Sequence, residues 1–226
     1  MGRSGPDDEQ ARHALVETMR RMHASGLNRG TSGNASVRVA DGLLITPSGI
    51  PPSALAPDSM VWVGADGRPS ESGLRPSTEF RMHAGILHAR PDAQAIVHCH
   101  SRYATILACC GKPIEPIHYM ILVAGSSRID VAPYATFGTA ALADAVVATT
   151  GGGYACLLAN HGQIALGRSL QQALAIAEEV EEQAALNYGA LMLGGARLLS
   201  EGQLAEAAAR FRTYGQAPET DGLVQP

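Results

Sequence analysis

The segment Ile96-Val97-His98-Cys99-His100 constrains this 226-residue chain more than any other. It reads as a short buried strand. Side chains two apart on a strand share a face, so His98 and His100 present two imidazoles together while Cys99 points the other way. Such a pair is a bidentate metal site. Glu79, in Pro76-Ser77-Thr78-Glu79-Phe80, and His161, in Ala159-Asn160-His161-Gly162, are two further candidate ligands. Three histidines and one carboxylate suit Zn2+, or a similar divalent ion, better than they suit Ca2+ or Mg2+. His13, His23, His83 and His88 fall on helical stretches and read as ordinary core or surface histidines.

Hydrophobic residues make up 46% of the chain and charged residues 17%, the balance of a globular protein with one well-packed core. The net charge is −4 and no basic run with interleaved aromatics occurs, so nucleic acid is not an expected partner. No apolar run approaches the roughly 20 residues of a membrane span. The first nine residues are polar and acidic, without an apolar signal core, and a cytoplasmic location is expected. Cys99, Cys109, Cys110 and Cys156 lack CxxC spacing and lie in apolar segments, so all four read as buried reduced thiols. Lys112 is the only lysine and sits in the turn Gly111-Lys112-Pro113, a poor place for a Schiff base. Chemistry at a carbonyl therefore points to a metal as electrophile.

Apolar periodicity and breakers predict a helix over 7–25, a hairpin through Asp41-Gly42, and a strand over 60–63. Ser77 reads as the N-cap of a helix over 78–89, which puts Glu79 in its first turn. Strands follow at 94–100, 114–120, 129–131, 154–159 and 163–166. Ser101 starts a short helix, and further helices are predicted over 138–149, 169–193 and 201–213. Neither a repeat nor a linker interrupts the chain. The expectation is one α/β domain over 1–226, with its core at 8–215 between a short polar N-terminal segment and a C-terminal tail, and a central, mostly antiparallel sheet flanked by helices.

Two loops of small residues, Gly30-Thr31-Ser32-Gly33-Asn34 and Thr46-Pro47-Ser48-Gly49, offer backbone N–H groups and hydroxyls. With Ser77 and Thr78 at a helix start they form a candidate nest for a phosphate held by neutral donors.

Several stretches together resemble the class II aldolase/adducin family. They are Gly26-Leu27-Asn28, Gly30-Thr31, Gly33-Asn34, Ser36-Val37-Arg38, Leu44-Ile45-Thr46-Pro47, Gly49-Ile50-Pro51, Ile117-His118-Tyr119-Met120, the run from Ala132 to Thr139, His161-Gly162 and Thr213-Tyr214-Gly215. They cover nearly the whole chain. The resemblance implies that Glu79, His98, His100 and His161 are metal ligands, with Zn2+ expected and Mn2+ or Co2+ also accommodated. It implies a substrate-phosphate pocket of Gly33, Asn34, Ser48, Gly49, Ser77 and Thr78, with Thr31 beside it. Tyr119 is expected to reach the site from a neighbouring subunit of a homotetramer whose active sites lie at interfaces. Phe137 and Tyr214 are expected to line the aldehyde side.

The implied reaction is cleavage of a ketose 1-phosphate to dihydroxyacetone phosphate and a short aldehyde through a metal-stabilised enediolate, with Glu79 and Tyr119 as acid/base groups. The family also holds 4-epimerases of ribulose phosphate, decarboxylases of sugar-acid phosphates and non-catalytic, adducin-like binding modules. The epimerases carry Asp at the position of Glu79, and the binding modules lack the ligand set. This chain departs from the aldolase branch at Thr78, where serine is common, at Cys99, where asparagine stands, and over 122–130 and 151–160, stretches placed to shape the aldehyde pocket.

Overall fold

The computed structural model describes residues 6–70 and 73–211. In chain order the regular elements are α1 (Pro6–Ala24), β1 (Asn34–Val39), β2 (Gly42–Ile45), β3 (Val61–Gly64), α2 (Phe80–Ala89), β4 (Ala95–Cys99), α3 (Arg102–Cys109), β5 (Val131–Ala132), α4 (Ala140–Thr150), β6 (Ala155–Leu158), β7 (Gly162–Gly167), α5 (Leu170–Met192) and α6 (Glu201–Phe211). One seven-stranded sheet runs β3-β2-β1-β4-β7-β6-β5, antiparallel throughout except for the β5–β6 edge. The expected antiparallel sheet flanked by helices is the observed architecture.

β4, β6 and β7 are buried along their entire length. Strands without a solvent face need cover on both sides. One side is a core in which Leu15, Met19 and Met22 of α1, Leu107 of α3 and Leu174 and Val180 of α5 pack on Ala35, Val97, Cys99 and Ala165. On the other, Met82 and Ile86 of α2 and Leu142 and Val146 of α4 pack on Ile45, Val63, Ile96 and Ile164. Alternation along β4 therefore sends Val97 and Cys99 toward α5, and Ile96 and His98 toward α2. Cys99 faces away from His98 as expected.

The structure corrects three expectations. The helix begins at Phe80 rather than 78, so Glu79 occupies its N-cap position (φ −96°, ψ 9°) and not its first turn. Ser77 still serves the entry to that helix, because its Oγ accepts from the Glu79 N–H at 3.3 Å. No strand forms over 114–120: Ile114 and Ile129 make a single bridge, and residues Tyr119–Ala124 are a 3-10 helix. Pro113 and Pro116 lack the N–H a strand ladder needs, which overrides the apolar character of the segment. His83, read as an ordinary core or surface histidine, is a core one: it is fully buried, its Nδ1 2.7 Å from the Ser36 hydroxyl. Finally, Cys99 and Cys156 are buried but Cys109 and Cys110 are exposed at the end of α3.

The thiols thus divide by accessibility. Burial pushes the Cys99 thiol up to about 12 despite hydrogen bonding from Ser101, and moves Cys156 in the same direction. Thiolates are the reactive form. Titration of the native protein with an aromatic disulfide reagent is expected to show Cys109 and Cys110 reacting fast, with Cys99 and Cys156 reacting only after denaturation. Fast native labelling of Cys99 would contradict the packing of β4. Among the described residues no helix is long and apolar enough to cross a membrane.

Candidate metal centre

Glu79, His98, His100 and His161 come from four places in the sequence and meet at one end of the sheet. His98 sits on β4, and His100 lies just past its last residue. His161 occupies the three-residue turn joining β6 to β7, where Asn160 adopts a left-handed φ of 58° and the His161 N–H donates to the Leu158 carbonyl at 3.0 Å. Asparagine tolerates that conformation better than most residues. Gly162 follows, and a Cβ there would stand 2.4 Å from the Cys99 carbonyl and 3.0 Å from the His100 ring. Only glycine lets the β7 start close on β4 and bring His161 beside His100.

The donor atoms converge tightly. His98 Nε2 lies 3.0 Å from His100 Nε2 and 3.2 Å from Glu79 Oε2, and His161 Nε2 lies 3.3 Å from Glu79 Oε1. The three rings meet edge to face with centroids 4.7–4.9 Å apart. Zinc–nitrogen bonds of about 2.0–2.1 Å give a ligand tetrahedron with edges of about 3.3 Å. The three separations, 3.0, 3.2 and 3.3 Å, lie close to that edge, with Glu79 meeting His98 through Oε2 and His161 through Oε1. His98 Nδ1 donates to the Gln163 carbonyl at 2.8 Å, which fixes the tautomer and turns the lone pair of Nε2 toward the other ligands. Glu79 Oε1 is buried without a hydrogen bond of good geometry, although His161 stands next to it. Three imidazole nitrogens beside a carboxylate suit a cation.

The electrostatics agree. Burial alone would raise the Glu79 carboxyl, but the charge and hydrogen bond of His98, then His161 and the Asn34 amide, outweigh it and hold the group far below the usual carboxylate range. Burial opposes a charge on His98, yet Glu79 and the Gln163 carbonyl raise its pKa. Positive charge is therefore favoured between Glu79 and His98. Burial, and then His98, push His100 and His161 down to about 4, so both rings are neutral ligands near pH 7.

A cleft opens above this cluster, lined by Thr31, Ser32, Gly33, Asn34, Pro47, Ser48, Gly49, Ser77, Thr78, Glu79, His100, Phe137 and His161. The expected phosphate residues and Phe137 thus share one site with the expected ligands, and His98 forms its buried floor. Loop 46–49 and segment 75–78 are tied together: Ser48 N–H donates to Arg75 O and Ser77 N–H to Thr46 O, both at 3.0 Å. Those two amides hold the wall of the cleft, which Ser48 and Thr78 line. Gly33 has φ +73°, and a Cβ on it would strike the Asn28 side chain at 2.3 Å. Asn34 lines the cleft with the other expected phosphate residues, and its Nδ2 also donates to Glu79 Oε2 at 2.8 Å and positions the carboxylate.

Tyr119 does not line the cleft of its own chain. It is exposed on the 3-10 helix, with its ring against His118 and Phe211. Tyr214 lies outside the described residues. Ser32 and Pro47 line the cleft as members of the two small-residue loops; sequence reasoning missed the partners Gln163 and Asn34-to-Glu79, which have no local signature.

Residues 13–188 match the model of the family described as class II aldolase and adducin N-terminal domain. The chain is 44% identical over 204 residues to a 5-methylthioribulose-1-phosphate/5-deoxyribulose-1-phosphate aldolase of Rhodospirillum rubrum, covering 90% of this chain and 92% of the relative. It is 42% identical over 202 residues to an L-fuculose phosphate aldolase of Escherichia coli O6:H1, covering 89% and 94%. A solved structure of an L-fuculose 1-phosphate aldolase superposes with a TM-score of 0.87 at 34% identity, over 92% of this chain and 98% of that one.

Proposed function

The chain belongs to the class II aldolase and adducin family, and from that premise we propose that it is a metal-dependent aldolase cleaving a ketose 1-phosphate to dihydroxyacetone phosphate and a short aldehyde. The observation that carries this reading is the meeting of Glu79, His98, His100 and His161 beneath a cleft walled by hydroxyls and glycines. L-Fuculose 1-phosphate and 5-methylthioribulose 1-phosphate, the compounds in the relatives' names, share the same phosphate, ketone and neighbouring hydroxyl. Cleavage next to that hydroxyl releases dihydroxyacetone phosphate from either, and only the aldehyde differs.

Glu79, His98, His100 and His161 would hold a divalent ion, zinc by donor preference, which would supply Lewis-acid charge at the substrate's carbonyl and neighbouring hydroxyl oxygens. The chain does the rest. Thr31, Ser48, Ser77 and Thr78, with Gly33 and Gly49, hold the phosphate and so fix where the reacting bond lies. Tyr119, contributed by a neighbouring subunit of a homotetramer, relays the proton leaving the aldehyde-side hydroxyl as the carbon–carbon bond breaks. Glu79, steadied by Asn34, acts as acid and base at the carbon left behind. Phe137 and Tyr214 border the departing aldehyde.

Tyr119→Phe is expected to lower kcat by about 100-fold, the low end for loss of an acid/base group, while KM for the sugar phosphate stays within about threefold. Unchanged kcat would remove Tyr119 from the reaction. The functional reading is tested by product analysis. Metal-loaded protein is given L-fuculose 1-phosphate, 5-methylthioribulose 1-phosphate, L-ribulose 5-phosphate and a 3-oxo-tetronate 4-phosphate, and dihydroxyacetone phosphate and CO2 are assayed separately. Dihydroxyacetone phosphate from either of the first two supports the aldolase. CO2 and dihydroxyacetone phosphate from the 3-oxo-tetronate 4-phosphate, with no dihydroxyacetone phosphate from the first two, would move the protein to the decarboxylase branch.

A further inference from the structure

We propose that Gln163 is a positioning residue that preorganises the three-histidine cluster, an inference that rests on the metal-binding reading above. Its main chain and its side chain act on different layers of the fold. The Gln163 carbonyl accepts from His98 Nδ1 at 2.8 Å and so directs His98 Nε2 at the other ligands. The side chain leaves β7 on the opposite face, where its Nε2 donates to Ser101 Oγ at 2.8 Å and to the Ala177 carbonyl of α5 at 3.0 Å. Gln163 and Ser101 are both buried.

The clasp falls where it matters for geometry. Cys99 opposite Gln163 is the last rung of the β4–β7 ladder. Beyond that rung the chain must turn through His100 into α3, with no further backbone pairing to β7. The Gln163–Ser101 bond continues the pairing by side chains, one residue after His100 and two after His161. One turn along α5 from Ala177, the Glu181 carboxylate accepts from the N–H groups of Tyr103 and Ala104 at 2.9 and 3.0 Å. The same helix thus grips both β7 and the start of α3, and holds fixed the spacing of His98, His100 and His161.

Stability does not account for this amide. Gln163 Oε1 is buried with no protein partner, and an unsatisfied buried carbonyl is a cost. An apolar residue of the same length would fill the space without it. What the amide contributes is the position of two ligand-bearing segments.

The test compares wild-type protein with Gln163→Met, which keeps length and volume, and with Ser101→Ala/Gln163→Met, which removes both partners so that no buried group is stranded. Co2+ affinity is measured by competition with a chromogenic chelator, the Co2+ ligand-field spectrum is recorded, and the melting temperature of metal-free protein is taken as the control. Both variants keep the Gln163 carbonyl that His98 Nδ1 meets and lose only the clasp, so Co2+ binding is expected to weaken by about 10-fold, the low end for the outer shell, with altered ligand-field bands and kcat lowered more than KM is raised. The metal-free melting temperature is expected to stay near that of the wild type. The double variant is the one measured if the single one does not fold. Wild-type affinity and spectrum in a folded variant would overturn the positioning role alone. A wild-type protein that takes up no Co2+ would overturn the metal reading and this inference with it.

Discussion

Glu79→Gln is expected to lower kcat by about 10^3-fold or more, within the range for removing an essential acid/base group. The substitution keeps the shape of a side chain that is 6% exposed. It removes the charge that pairs with His98 at 3.2 Å and stands 3.3 Å from His161. Two effects then add: no group remains to exchange a proton at carbon, and the cation loses its one anionic ligand. The fold should persist, because both cores are built from residues of other segments and the Glu79 carboxylate belongs to neither. Circular dichroism and the oligomer's size should therefore match wild type while dihydroxyacetone phosphate release nearly stops. Wild-type turnover in a folded Glu79→Gln protein would sink the assignment.

The second large effect is His98→Ala. His98 is fully buried, and its ring joins the Gln163 carbonyl to Glu79 and His100. Removing it deletes one ligand and leaves the Gln163 carbonyl without its donor. Metal affinity should fall by more than the roughly 100-fold that loss of an outer partner costs. Metal-free stability should fall as well, by about 2–4 kcal/mol, the range for emptying a well-packed interior position. His100→Ala makes the useful contrast, since His100 follows the strand and borders the open cleft. It should lose metal with a much smaller loss of stability. Equal metal content in His98→Ala and wild-type protein, measured by elemental analysis after gel filtration, would show that the cation is not held here.

The metal pair was legible because strand alternation is a short-range rule. His98 and His100 are two residues apart, and Cys99 between them joins the α5 core as alternation requires. The loops around Gly33 and Gly49 were legible from their small residues, and the positive φ at each is what glycine supplies. Failures came where partners are distant in sequence. Ser36 meets His83 across 47 residues and Gln163 meets Ser101 across 62, so neither pair leaves a local period. His83 also shows why a helical histidine is ambiguous: burial, with His98 nearby, pushes it down to about 3, so it packs as a neutral ring. The strand expected at 114–120 failed because apolar content was weighed above two prolines. Tyr119 is placed by resemblance alone, and it lies exposed on the chain's surface away from its own cleft.

The account stands on a cation at the four converging side chains working on a ketose phosphate. Protein stripped with a chelator, dialysed and supplied with L-fuculose 1-phosphate or 5-methylthioribulose 1-phosphate should release dihydroxyacetone phosphate at a negligible rate. Addition of one equivalent of Zn2+ per chain should restore the release, and Glu79→Gln protein treated in the same way should stay inactive. Full activity in the stripped protein, or none with either sugar phosphate after metal is returned, would contradict it.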